Sequence, residues 1–159
     1  MRVNVLSGAA VTDQGLIESE AATLLRLRAG LGAGAGGAEP IALLADVHVK
    51  HAQPLGGGSL ASAAQDTAKR GLADALIVSG SGTGYAPSPE RLREVREAVS
   101  ETPLWLGSGL TVENCAELGP LLDGAIVGSA AEVEGKAGNP VDPARARAVV
   151  EAFIYSGSA

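Results

Sequence analysis

Aromatic side chains are scarce in this chain: one Trp, two Tyr and one Phe among 159 residues. Hydrophobic residues still make up 46%, so any core must be aliphatic, and the length is enough for one domain to bury it. Cysteine is present only as Cys115, which excludes an internal disulfide and fits a reducing cytosol. No apolar run approaches the roughly 18–20 residues of a membrane span. The opening Met1-Arg2-Val3-Asn4-Val5-Leu6 lacks the charged-then-apolar pattern of a signal peptide. Basic residues are in deficit, 12 against 18 acidic, for a net charge of −6, whereas nonspecific nucleic-acid binding needs a basic face. The expectation is a cytoplasmic α/β protein with no membrane span and no nucleic-acid partner.

What is present is alternation. A strand is expected over 2–6, then a helix over 17–31 with Leu24, Leu25, Leu27 and Leu31 as its apolar stripe. A glycine- and alanine-rich connection follows, then a strand over 41–49 and, after Gly56-Gly57-Gly58-Ser59, a helix ending at Arg70. The third strand is expected over 75–79, with a helix opened by Ser88-Pro89-Glu90 through a Ser cap and a first-turn Pro. The fourth, over 104–106, meets Gly107-Ser108-Gly109, with Thr111 expected to cap the next helix. The fifth, over 124–127, meets Gly128-Ser129, and a final helix starts at Asp142-Pro143 with Ala146, Val149, Val150 and Phe153 facing inward.

Such alternation implies a parallel sheet with right-handed crossovers. An open doubly wound sheet carries its phosphate-binding glycines after the first strand, whereas here they follow the last two. Barrels bind phosphate after strands seven and eight. The reading is therefore one partial (β/α)8 TIM-barrel domain over residues 1–159, supplying strands four to eight, with the N-terminal βα units absent.

The densest chemistry is Asp46-Val47-His48-Val49-Lys50-His51. Along an extended strand Asp46, His48 and Lys50 share one face and Val47 and Val49 the other. Three ionisable groups inside a barrel must pair or meet a ligand, which suits acid–base work by Lys50 or His48. The alternative is a salt-bridged plug. His51 points the other way or lies in the loop; a metal held by Asp46, His48 and His51 is disfavoured because adjacent strand positions diverge, and no cofactor is implied. Gly107, Ser108 and Gly109, with Gly128 and Ser129, are candidates for a phosphate cradle, because glycines admit close backbone approach and helix starts offer free N–H groups. Asn4, Thr12, Asp13, Gly80 and Thr83 are the candidate substrate loops; the plain alternatives are a helix cap at Thr12 or Asp13 and a simple turn at Gly80-Ser81-Gly82-Thr83-Gly84. Cys115 and Trp105 read as packing.

Several of these motifs together resemble one family. Arg2-Val3-Asn4-Val5, Gly8 and Thr12-Asp13-Gln14-Gly15 look like the fourth-strand segment of BtpA-family proteins. Asp46, Lys50-His51 and Pro54-Leu55-Gly56 resemble its fifth-strand signature, and Ala73-Asp74-Ala75-Leu76-Ile77-Val78 with Gly80 and Thr83-Gly84 its sixth. Gly107-Ser108-Gly109, Asn114, Asp123-Gly124, Ile126-Val127-Gly128-Ser129 and Asn139-Pro140-Val141-Asp142 match the remainder. The family includes SgcQ-like proteins and is similar in fold to ribulose-phosphate-binding barrels; its name implies photosystem I assembly. The chain departs from it in lacking the His- and Pro-Gly-bearing N-terminal portion, and in placing Ala130-Ala131-Glu132 where a Lys tends to follow the last Gly-Ser.

Three functions follow as alternatives. In the first, a lyase- or isomerase-type enzyme acts on a small phosphorylated metabolite, with Lys50 or His48 as acid–base or Schiff-base group, Asp46 orienting it and Ser108 and Ser129 holding phosphate. In the second, a noncatalytic assembly or regulatory factor uses the barrel as a platform. In the third, an inactive truncated member with two open sheet edges is prone to self-association as a homo-oligomer.

Overall fold

Five parallel strands, each followed by a helix, organise the computed structural model, which describes residues 1–34, 36–80, 82 and 84–157. In chain order β1 (Arg2–Val3) leads into a hairpin of β2 (Ala9–Thr12) and β3 (Gly15–Glu18), then α1 (Ala21–Gly30). Next come β4 (Leu44–Asp46), a short β5 (Ala52–Pro54) and α2 (Leu60–Gln65), which continues as a π turn over Asp66–Arg70. The remaining units are β6 (Ala75–Val78) with α3 (Pro89–Ala98), β7 (Leu104–Leu106) with α4 (Cys115–Leu118), and β8 (Gly124–Ala125) with α5 (Pro143–Ser156).

β1, β4, β6, β7 and β8 pair in that order, every pair parallel. Each parallel strand thus lies beside the next one along the chain. A doubly wound sheet reverses its strand order at a switch point; this stepwise order has no reversal and is compatible with an arc of a β/α barrel. A second, antiparallel sheet of order β3-β2-β5 is built from the loops that leave β1 and β4.

One face of the parallel sheet makes the core. Val47, Leu76, Val78, Leu104 and Leu106 pack against helix residues Leu60, Ala64, Leu92, Val95, Leu118 and Val149, with buried Cys115 among them. The core is aliphatic, as the composition requires, and each large side chain so buried contributes about 1.5–3 kcal/mol. Two carboxylates pin the amino-terminal ends of the strands. Asp74 Oδ2 accepts from Leu43 N at 2.7 Å and from Arg28 on the carboxyl-terminal turns of α1 at 2.5 Å. Asp123 Oδ2 repeats the arrangement with Leu104 N at 2.8 Å and Arg96 of α3 at 2.6 Å. The same clasp therefore recurs ahead of β6 and ahead of β8.

The structure corrects several local expectations. The helix expected over 17–31 begins only at Ala21, and Ile17 belongs to β3. The reason is the turn before it: Thr12 Oγ1 accepts from Gln14 N and donates to Gly15 O, while Gly15 takes φ +106°, so a hairpin closes where a helix start was expected. Thr12 is consequently a turn-forming residue. None of α1 is buried, and Leu27 and Leu31 are exposed rather than inward. The strand expected over 41–49 is confined to Leu44–Asp46, and those over 75–79 and 124–127 end at Val78 and Ala125. Ser88 and Asp142 cap α3 and α5 as expected. Thr111 does not cap a helix: its N–H donates to Asn114 Oδ1, and Asn114 Nδ2 donates to Gly109 O, so Asn114 fixes that turn. On α5, Val149 is buried, but Val150 faces solvent.

Candidate functional site

Asp46 closes β4 with its side chain only 1% exposed. Both its oxygens accept from Arg2 on the neighbouring strand, from Nε and from an Nη nitrogen, each at 2.7 Å. The pair raises the Arg2 guanidinium above its ordinary pKa, chiefly through that hydrogen bond and against the opposing effect of burial. Among the described residues the hydrogen bonds of Asp46 thus go to Arg2, and none to His48 or Lys50.

Beyond Asp46 the strand geometry stops. His48 and His51 adopt φ +53° and +60°, the left-handed region that costs a non-glycine residue about 1–2 kcal/mol. The alternation that would put Asp46, His48 and Lys50 on one face is therefore broken at His48. Val47 is buried in the core, while Val49 instead borders the cleft described next. Strained backbone of this kind concentrates where ligands bind.

The segment His48–His51 forms one wall of a cleft of about 800 Å³. Thr12 and Asp13 from the hairpin turn stand beside it, and Ser79, Gly80 and Arg91 complete the side nearest β6 and α3. An adjoining recess of about 390 Å³ adds Arg2, Asn4 and Gln14. Asn4, Thr12, Asp13 and Gly80, expected as substrate-loop residues, are thereby brought to His48 and Lys50; Ser81 and Thr83 lie outside the described residues. Asn4, His48, Ser79 and Gly80 lie just past the carboxyl ends of β1, β4 and β6, the end at which parallel α/β sheets bind ligands. Among the described residues no three His, Cys, Asp or Glu side chains converge as a metal site.

The two glycine loops behave differently from each other. A Cβ on Gly107 would meet Ser79 Oγ at 2.2 Å, and one on Gly109 would meet Ala86 N at 2.2 Å. Ser108 Oγ reaches only Tyr85 O, at 3.5 Å. Gly107 and Gly109 are thus accounted for by close packing within the protein. Gly128 has nothing within 4 Å of an added Cβ, and the N–H groups of Gly128 and Ser129 make no hydrogen bond with another described residue. Ser129 borders a recess of about 390 Å³ with Thr111, Glu113 and Arg145. Arg145, in the first turn of α5, donates through Nε to Ala130 O at 3.1 Å, which leaves its guanidinium beside that loop. Glu132 turns away, accepting from Gly138 N at 3.0 Å. Glu113 is the acidic neighbour; the Thr111 hydroxyl first, then its own backbone N–H and, less strongly, Arg145 hold its carboxylate below the usual range.

Sequence reasoning passed over Ser79, Arg91 and Arg145. Ser79 is 4% exposed and its hydroxyl has no partner among the described residues, an arrangement that costs about 1–3 kcal/mol and has no signature in sequence. Arg145 stands 16 residues beyond Ser129, too far for a local motif. Cys115, buried, has its thiol pushed up by desolvation and by Glu113, which suits packing.

His48 titrates below its ordinary value of 6.5, mainly through burial and then through Arg91, with Glu94 partly opposing. Below pH 6.5 the unfolded chain takes up this proton before the native one, so stability is full above 6.5 and falls as pH drops toward the native value. The urea midpoint should accordingly decline between about pH 7.5 and 5.5 in the parent and decline less in His48→Gln. Parallel curves for the two proteins would contradict this assignment.

The family model for the BtpA family matches residues 1–154. The photosystem I biogenesis protein BtpA of Synechocystis is 44% identical over 153 residues, covering 96% of this chain and 51% of that protein. Uncharacterized proteins of Thermococcus kodakarensis and Methanocaldococcus jannaschii are 44% and 42% identical over 95% and 94% of the chain and 54% of their own lengths. The chain thus spans about half the length of the curated relatives it matches.

Proposed function

This chain belongs to the BtpA family, and on that footing we propose that it carries the site of a cytoplasmic enzyme, of lyase or isomerase type, acting on a small phosphorylated metabolite. The five strands would be strands four to eight of a (β/α)8 barrel of the ribulose-phosphate-binding kind. The observation that carries the reading is the cleft itself, which gathers His48, Lys50, Asp13 and Ser79 from loops after three different strands. Lys50 supplies the amine or acid–base group and His48, neutral near pH 7, accepts a proton. Phosphate is held by the free N–H groups of Gly128 and Ser129, with Arg145 offering the positive charge that Ala130-Ala131-Glu132 does not. Among the described residues no helix is long and apolar enough to cross a membrane.

The test is a thermal-shift panel of sugar phosphates at millimolar concentration. At least one should stabilise the protein, and Lys50→Ala should lower its affinity by about tenfold or more, equivalent to about 1.4 kcal/mol. A panel in which nothing stabilises the parent would sink the proposal.

The name of the Synechocystis relative favours a second reading, a noncatalytic factor in photosystem I biogenesis. An archaeal protein is just as similar to this chain, so identity does not carry that role over. Stable co-purification with a photosystem component, together with full function of Lys50→Ala in cells, would select it over the enzyme.

A further inference from the structure

Two cations and one hydroxyl around the large cleft lack partners among the described residues. Lys50, on the loop after β4, and Arg91, in the first turn of α3, both border it. Neither forms an ion pair or a side-chain hydrogen bond with another described residue. Ser79, on the same lining, keeps a buried hydroxyl with no partner among the described residues. Asp13 is the lone carboxylate on the described lining, although the chain as a whole carries −6. Positive charge therefore outnumbers negative on the described lining, against the trend of the molecule.

We infer that this cleft is an oxyanion site in its own right, separate from the Gly128–Ser129 recess: Lys50 and Arg91 flank a carboxylate or phosphate group, and the Ser79 hydroxyl donates to one of its oxygens. A guanidinium presents paired donors that match either group, and an ammonium adds a compact charge. Taken with the proposed phosphate recess, on which this part rests, the site specifies the substrate class: a molecule with two anionic groups, as in a phosphorylated acid. The cleft then fixes one end while Ser129 and Arg145 fix the other.

The experiment is a nitrogen-15 amide titration of the whole chain with inorganic phosphate and, separately, with malonate. Phosphate should move two groups of resonances, one around Gly80 and Arg91 and one around Gly128 and Ser129. A carboxylate-selective cleft shows as malonate moving the first group more tightly than phosphate does; a phosphate-selective one shows the reverse. Arg91→Gln, a change at an exposed side chain, should weaken the first response about tenfold or more and leave the second unchanged. Ser79→Ala should weaken the first response without lowering the melting temperature, because the hydroxyl it removes has no partner among the described residues. Arg145→Gln should affect the second response alone. Resonances around Gly80 and Arg91 that ignore both anions, or that respond equally in Arg91→Gln and Ser79→Ala, would overturn the inference. Still resonances at Gly128 and Ser129 with a responsive cleft would instead refute the phosphate recess and leave the cleft standing.

Discussion

Replacing Arg2 with Met should destabilise the protein by about 1–3 kcal/mol, less than for a fully buried ion pair, because the Arg2 side chain is 35% exposed and water screens part of the loss. Asp46 is almost wholly sealed from water, and both its oxygens depend on the Arg2 guanidinium. Methionine fills a similar volume but leaves the carboxylate charged in a site that cannot solvate it. A further outcome identifies the cause. Adding Asp46→Leu to Arg2→Met should recover much of the loss, because an apolar pair of similar volume can match a buried ion pair. Urea unfolding of the two variants checks both. A loss under about 1 kcal/mol for Arg2→Met would mean that Asp46 tolerates burial unaided and is free for chemistry.

The second large effect is expected at Gly109→Ala. Gly109 takes φ +84°, and its Cβ would lie 2.2 Å from Ala86 N and 2.4 Å from Tyr85 C. Both atoms are backbone, so no side chain can swing aside. Left-handed strain of about 1–2 kcal/mol and overpacking of about 1–3 kcal/mol together put the loss at about 2–5 kcal/mol. Resonances of Tyr85 and Ala86 should shift with it. Gly128→Ala is the control: an added Cβ there meets nothing within 4 Å, and its effect should stay within about 1 kcal/mol. Equal effects at the two glycines would mean that the 107–109 loop is not packed as described.

What was legible in the sequence is what depends on neighbours along the chain. The strand–helix alternation, the aliphatic core and the caps at Ser88 and Asp142 are all local, and each is present. What was not legible depends on partners far away. β2 becomes a strand because β3 and a segment some forty residues later both pair with it; read alone, Leu16 and Ile17 fit a helix as well. Asp46 was read as a partner of His48 and Lys50, and its actual partner Arg2 stands 44 residues away, beyond the reach of a local motif. Alternation through Lys50 presumed an extended backbone that His48 abandons. The close packing at the glycines 107 and 109 was not legible either, because the atoms that crowd them, from Ser79 and Ala86, are invisible in a linear motif.

The pairing of β2 with β5 joins Ala10 to Pro54, Val11 to Gln53 and Thr12 to Ala52 through the backbone. An isolated two-stranded hairpin is marginal in water, and this one leaves Val11 and Leu16 exposed, so it owes its persistence to the third strand. Mechanically, the two loops are one plate. Asp13, one residue past the last of these pairs, and Lys50, two residues before them, keep a fixed spacing whatever side chains the plate carries. Any motion that admits a ligand must then tilt the plate as a body or occur opposite it, and surface substitutions on the hairpin would change its solubility before they changed the spacing of the groups that face the cleft.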